Sequence, residues 1–210
     1  AQRVKDFMNY QITEIMEEYD PDTDQRLFYL PLTGSTFKKV YFDAGKQRAV
    51  SKFVPAEDLI VPYSASDLNT AERVSHVVRM TENELRKLQV AGVYRDIELQ
   101  AGDEDDDSSI RQTGNELQGV RPSYGDDVHT LLEIHTEIDL EGFEDVGPDG
   151  EPTGVKLPYI VTVDEDSGQV LSVVRNYRQA DPLRRKRQYF THYKFLPGFG
   201  FYGFGLLHTI

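Results

Sequence analysis

The chain has 210 residues, of which 39% are hydrophobic and 28% are charged, and its formal net charge at pH 7 is -13. It contains no cysteine, which excludes disulfides, thiolate metal sites and thiol nucleophiles within these residues. No run of about 18 apolar residues is present, so we expect no membrane span. The acidic balance also argues against general adhesion to a nucleic-acid backbone.

The first predicted element is an amphipathic helix. Apolar residues recur at steps of three and four between Val4 and Tyr19, which is the period of a helix with one buried face. Asp20 and Pro21 form a stop signal. The helix is therefore predicted to end at about Tyr19.

A β-meander is predicted next, over residues 26–54. Residues 26–32 and 37–43 are rich in aromatic and branched side chains, and a Thr-Gly-Ser turn separates them. A second turn, at residues 43–45, leads to the apolar segment 49–54. The pattern predicts three antiparallel strands.

The centre of the chain predicts one strand and one short helix. Residues 74–80 are rich in valine and predict a strand. Thr81 and Glu84 have the spacing of a capping box, in which both side chains satisfy amide groups at a helix start. We expect a helix from about Glu82 to Val90, with Leu85 and Leu88 buried, and Gly92 is its predicted end.

In the second half of the chain, the sequence predicts a mobile acidic loop followed by hairpins. Residues 101–127 contain a block of like charge and lack apolar periodicity. Strict alternation in 132–140 predicts a strand with Leu132, Ile134, Ile138 and Leu140 on one face and a wet face opposite. Residues 159–163 and 169–174 predict a hairpin with Gly168 in its turn. The fold class is α+β, mostly antiparallel sheet, divided as 1–100, 101–127 and 128–210.

No motif in the chain indicates catalysis or metal binding. The acidic run 20–24 resembles a calcium loop, but Gln25 and Pro31 occupy the positions that need Gly and Glu. Ser35-x-x-Lys38 matches an acyl-enzyme pattern without its companion elements. His135 lies on the polar face of an alternating strand, where a solvated side chain is the default. We therefore expect no catalytic residue, cofactor or metal site.

The C-terminal quarter differs from the rest in charge. From Arg175 onward there are seven basic residues and one acidic residue, a net charge of +6, which leaves -19 for residues 1–174. Arg184, Arg185, Lys186 and Arg187 form its densest cluster. This cluster could meet an acidic surface of a neighbouring copy, a phosphate backbone or water.

The last residues interleave aromatic side chains with glycine. Contiguous exposed apolar surface promotes association, so this segment is expected to be covered by core packing or by another subunit. The glycines favour tight turns and close backbone approach. The abrupt start and end also lead us to expect a piece of a longer protein. Possible subunit or DNA contacts are Arg184, Arg185, Lys186, Arg187, Phe199, Phe201, Tyr202 and Phe204.

Four segments together resemble one protein family. They are 3–11, 27–41, 53–63 and 194–210, and they resemble the portal, or head-to-tail connector, proteins of tailed double-stranded DNA bacteriophages, particularly of the short-tailed type. The likeness covers most of the chain apart from the acidic loop and residues around 141–156.

The resemblance implies a structural protein of the virion with no catalytic residues. Portals form a ring of about twelve subunits at one capsid vertex. They conduct double-stranded DNA during packaging and ejection, and they dock terminase, head-completion and capsid proteins. Assembly takes place in the bacterial cytoplasm. The chain is expected to be the wing region, with the stem and clip beyond Ile210.

A second function class remains open from the residues alone. The terminal aromatics and the basic strand that leads to them could form a free-standing module that binds a peptide or single-stranded nucleic acid. Salt-dependent binding of an oligonucleotide by a monomer would distinguish this module from a ring subunit.

Overall fold

The computed structural model describes residues 2–43, 45–99, 128–147 and 149–208. The chain divides into two compact units, Ala1–Val74 with Asp181–Ile210, and Ser75–Ala180. The predicted division at residues 100 and 128 stays a prediction, because the segment between them lies outside the described residues. Within the described ranges, no helix has the length and apolar character that crossing a membrane requires.

The fold is α+β, as predicted, with antiparallel sheets. The described α-helices are α1 (Gln2–Tyr10), α2 (Tyr19–Thr33) and α3 (Glu82–Val90). The described strands are β1 (Ser35–Asp43), β2 (Arg48–Pro55), β3 (Leu59–Ile60), β4 (Arg73–Thr81), β5 (Val128–Ile138), β6 (Leu157–Asp164), β7 (Val170–Arg175) and β8 (Phe190–Lys194).

The N-terminal region is more helical than the sequence predicts. A π-helical segment, Gln11–Ile15, continues α1, and the chain then forms α2 instead of the predicted first strand. Pro21 does not stop a helix here, because it lies in the first turn of α2, where no amide donor is needed. Helix α2 ends at Gly34, whose φ of +80° is in the left-handed region. The strand prediction for 26–32 is therefore wrong, whereas those for 37–43 and 49–54 are confirmed.

The first unit is built on a three-stranded sheet with the order β2-β1-β8. Phe37 in its central strand pairs with Val54 on one side and His192 on the other. The side chains on this face form the core of the unit. Its buried members are Phe37, Val54, Leu59, Leu68, Ala71, Val74, Phe190 and Phe201.

Helix α2 packs on the opposite face of this sheet. Lys38 Nζ lies 3.9 Å from the centre of the Tyr19 ring, and the Arg26 guanidinium lies 4.2 Å from that of Tyr193. Burial lowers the pKa of Lys38, and the nearby charge of Arg26 adds to this effect. The helix thus contacts β1 and β8 through cations placed over aromatic rings.

The outer edge of β2 is covered by carboxylates. The amides of Ser51 and Phe53 donate to Glu18 Oε1 (3.2 Å) and Asp22 Oδ2 (2.6 Å), and Arg48 pairs with Glu18 at 2.8 Å. Burial opposes ionisation of Glu18, but backbone hydrogen bonds and Arg48 outweigh it and hold the pKa of Glu18 below its ordinary value. These contacts use edge amides that could otherwise pair with another strand.

The second unit has strands in the order β4-β5-β6-β7, with α3 against them. The capping box is confirmed: Thr81 Oγ1 accepts from the Glu84 amide, and Glu84 accepts from the Thr81 amide. The helix bounds also match the prediction. The core of the unit consists of Leu85, Leu131 and Leu171.

The predicted strand forms as β5, but its burial does not follow the two predicted faces. Leu131 and His129 are fully buried, whereas Leu132 and Ile134 on the predicted core face are only half-buried. The face that carries Leu131 packs with Leu85 of α3, which the alternation alone did not show. The predicted hairpin is confirmed, since β6 and β7 pair antiparallel and Gly168 has φ +66°.

Candidate interaction surface

The C-terminal segment folds back on itself beside the start of β1. Leu196 and Phe204 exchange backbone hydrogen bonds of 3.1 and 2.8 Å, which closes residues 197–203 into a loop. The Phe195 amide donates to Gly34 O at 3.0 Å. The loop is therefore attached to the junction between α2 and β1 through backbone groups.

Three glycines make this attachment possible. A Cβ atom at Gly203 would lie 2.5 Å from Gly34 O and 2.7 Å from Leu196 O. A Cβ atom at Gly205 would overlap Leu32 O in the last turn of α2. The backbones therefore pack at a distance that no side chain permits, and the close approach expected from the glycine spacing is confirmed.

The buried Ser35 and the half-buried His192 hold the same loop. The Gly203 amide donates to Ser35 Oγ at 2.7 Å, and a hydrogen bond of 3.1 Å joins that oxygen to Nε2 of His192. The His192 ring stacks between Phe37 and Phe201, with centroid distances of 4.4 and 4.8 Å. Burial of the ring, together with the charge of Lys194, lowers the pKa of His192 to about 4.

The four terminal aromatics named from the sequence have different environments. Phe201 is in the core, and the Tyr202 hydroxyl donates to Leu59 O at 3.1 Å while part of its ring stays exposed. Phe199 is fully exposed and meets the half-buried Phe204 edge-on, with centroids 5.9 Å apart. The structure therefore assigns Phe201 to folding and leaves the other three at the surface.

This segment exposes six apolar side chains, which we together call the C-terminal aromatic surface. The anchored loop supports it on one side, and the short 3₁₀-helix Leu206–His208 continues it toward α2. Its exposed members are Phe195, Leu196, Phe199, Tyr202, Leu206 and Leu207. Large exposed apolar side chains concentrated in one segment are characteristic of a protein interaction site.

The basic cluster is tied mostly to its own unit. Arg185 forms an ion pair of 2.9 Å with Asp181, and Lys186 Nζ donates to Ala71 O at 2.9 Å. The Arg187 guanidinium lies 5.3 Å from the centre of the Tyr189 ring, and Arg184 has a left-handed φ of +45°. The hydrogen bond from Arg185 lowers the pKa of the Asp181 carboxyl. The cluster is thus partly structural, and its exposed members are Arg185 and Arg187.

The residues weighed for catalysis or metal binding do not assemble into such sites. Ser35 is 1% exposed, so no substrate reaches its oxygen in this conformation, and Lys38 projects from the other face of β1 toward Tyr19. His135 forms a 2.7 Å contact with Glu133. The acidic residues 20–24 lie in α2, and the described residues contain no group of three metal-ligating side chains.

Sequence reasoning missed the pairing of Ser35 with His192, because 157 residues separate them. It also missed α2 and the side chains that this helix exposes. The four-residue spacing of Asp20, Asp24, Phe28 and Leu32 carries a helical signal that could have identified it. A scan of protein-family models finds no match to this chain, and a search of curated proteins finds no significant match.

Proposed function

We propose that this chain is part of a structural subunit of the portal ring of a tailed bacteriophage, located at the capsid vertex. The observation that carries the proposal is the C-terminal aromatic surface. Its loop is held by close backbone contacts at three glycines and by the buried Ser35 with the half-buried His192. The segment nevertheless presents Phe199 and Leu207 to solvent. A rigid apolar surface of this kind is complementary to another protein subunit.

The sequence resemblance supports this class of assembly. Portal-like segments include both sides of this site, since residues 27–41 contain Gly34 and Ser35 and residues 194–210 contain the loop. The glycine contact and the Gly203–Ser35 hydrogen bond connect these two segments directly. The portal-like residues therefore coincide with the part of the unit that builds the surface.

The charge of the chain is compatible with a DNA conduit. A protein that lets double-stranded DNA slide must not bind phosphates strongly, because each cationic contact adds affinity. The net charge is -13, and two residues of the basic cluster bond within the unit. The proposed role involves no catalytic step. Terminase, head-completion and capsid proteins are the expected docking partners.

Native mass spectrometry and electron microscopy of the complete gene product test the proposal. We expect closed rings of about twelve copies. Phe199→Ser should lower the yield of rings, because it removes an exposed apolar anchor. Phe143→Ser is the matched control, since Phe143 is also exposed but belongs to the second unit. A monomeric gene product, or equal loss in both variants, would contradict the proposal.

The binding module for a peptide or single-stranded nucleic acid has less support. Stacking of bases needs several accessible aromatic rings and free cations, but Phe201 is buried and Arg185 is paired. Oligonucleotide titration at two salt concentrations separates the two functions. Tight, salt-dependent binding by a monomer would favour the module over the ring subunit.

A further inference from the structure

Helix α1 buries none of its residues within the described part of the chain. All nine of its residues are exposed, including Val4, Phe7, Met8 and Tyr10, which are 52–65% exposed. Helices shorter than about 12 residues are only marginally stable in water unless an apolar face is buried. The helical conformation of α1 therefore calls for a surface that covers this face.

The apolar residues of α1 form one stripe. Val4, Phe7 and Met8 follow the i, i+3, i+4 pattern of a single helix face. Arg3 precedes this stripe in the first turn, so the stripe begins at a positive charge.

Helix α2 exposes a stripe with matching properties. Asp20 and Asp24 are followed on the same face by Leu27 and Phe28, which are 57% and 69% exposed. The opposite face of α2 is occupied, because Asp22 bonds the edge of β2 and Tyr29 packs on Phe53. This exposed stripe therefore begins with negative charge and continues with apolar side chains in the same direction along the helix.

We propose that α1 of one copy packs lengthwise and in parallel on the exposed stripe of α2 in a second copy. In this orientation Arg3 meets Asp24 or Asp20, while Phe7 and Met8 cover Phe28. An antiparallel arrangement would place Arg3 beside Leu32 and Thr33, where the helix carries no acid. Charge complementarity thus selects both the partner surface and the direction.

The contact is head-to-tail, because α1 and α2 are different surfaces of the same chain. Such contacts generate closed rings when the rotation between copies closes. The inference deepens the proposed function and rests on it for the closed geometry. It specifies the helices through which neighbouring copies meet.

Cysteine pairing tests the contact directly, since the chain has no native cysteine. Met8→Cys and Phe28→Cys are made in separate chains, mixed and oxidised. A disulfide forms only where two Cα atoms approach within about 7 Å, and the mixture guarantees that a mixed dimer joins two copies. We expect this dimer, whereas Met8→Cys mixed with Phe143→Cys should give none above background.

A second variant tests the energetics. In the chain without introduced cysteines, Phe7→Ser should weaken association by about tenfold, because the contact loses a buried aromatic side chain. Its melting temperature should stay unchanged, since Phe7 is 60% exposed and belongs to neither core cluster of the described residues. Arg3→Glu should also weaken association, and Asp24→Lys in the partner copy should restore it.

Three results would overturn the inference. They are equal disulfide yields in the test and control mixtures, association unchanged by Phe7→Ser, or a monomeric chain in which Phe7→Ser lowers the melting temperature. Rings of the gene product without the α1–α2 disulfide would leave the proposed function intact. The disulfide without rings would support the contact and count against the portal assembly.

Discussion

The two units differ in charge and in what they expose. The first unit has fourteen basic and thirteen acidic residues, whereas the second has nine basic and twenty-three acidic, giving net charges of +1 and -14. In the described part of the second unit, the large exposed apolar residues are valines with one aromatic, Phe143. The first unit instead exposes many aromatic and long aliphatic side chains, among them Phe7, Phe28, Phe199 and Leu207.

This difference favours the first unit as the location of the proposed contacts between copies. A strongly acidic surface repels other copies and stays solvated, whereas a near-neutral apolar surface allows close approach. Both surfaces proposed for contact, the C-terminal aromatic surface and the α1–α2 stripes, belong to the first unit. Changes to the residues that hold the C-terminal loop, such as Gly203 and His192, should therefore affect assembly and stability together. Changes in the second unit should affect local stability alone.

The largest loss of stability is expected from the substitution Gly203→Ala. The added Cβ would collide with Gly34 O and Leu196 O, neither of which can move without shifting β1 or the loop. We expect the free energy of unfolding of the first unit to fall by about 3 kcal/mol, measured by urea unfolding followed by circular dichroism. Gly200→Ala is the control, since nothing lies within 4 Å of a Cβ there. Equal stability of the two variants would contradict the packing described.

The second largest effect on stability is expected from a fall in pH, which should destabilise the first unit. The folded pKa of His192 is about 4 against an ordinary value of 6.5, so between these values the unfolded chain binds a proton that the folded chain does not. The free energy of unfolding should fall as pH decreases through this window, by about 1–2 kcal/mol after allowing for solvent screening of a half-buried ring.

Urea unfolding at pH 7 and pH 5 measures this effect before most carboxylates titrate. A His192→Gln variant should show a smaller difference between the two pH values. An equal difference in both proteins would assign the pH dependence to another group.

Thr81→Ala tests the second unit. It removes the hydroxyl that accepts from the Glu84 amide at the start of α3, and a lost cap costs about 1 kcal/mol. Hydrogen exchange should show faster opening in residues 82–90 and unchanged protection in β1. Asn83→Ala is the control, because Asn83 lies two residues after Thr81 in the first turn of α3 and is exposed. Loss of protection in both units would show that they unfold as one body.

The smallest effect is expected from Arg185→Ala. Its ion pair with Asp181 is exposed on the arginine side, and solvent-exposed pairs contribute little to stability. The melting temperature should stay within error of the unmodified chain. Lys186→Ala is the comparison. It should lower the melting temperature more, because Lys186 Nζ donates a hydrogen bond to the Ala71 carbonyl. A large loss from Arg185→Ala would give this pair a structural role that its exposure does not indicate.

Local signals in the sequence predicted the elements whose causes are local. The capping box at Thr81 and Glu84 fixed the start of α3, and Gly168 fixed the turn between β6 and β7. The glycine-rich C-terminus correctly indicated close backbone approach. Its partner, Gly34, could not be identified, because no local pattern connects residues so far apart in the chain.

The errors fall where tertiary contacts decide the structure. Residues 26–32 have the composition of a strand, but they are helical because Asp22 and Arg26 tie α2 to the sheet. In β5 the alternation was visible, but the buried face depended on Leu85 of α3. The candidate surface was predicted as a segment, whereas the separate environments of Phe199 and Phe201 follow from the Ser35 and His192 anchor.

The path of the chain has a consequence for synthesis on the ribosome. Residues 75–180 are complete as a unit before β8 and Phe201, which finish the core of the first unit, have been made. We therefore expect the second unit to fold first, while β1 and β2 stay unfolded because their third strand, β8, has not yet been made. A nascent chain in which residues 1–180 have fully emerged from the ribosome should show exchange protection in β6 and none in β1. Protection in both would mean that the first hairpin and α2 fold without the returning strand.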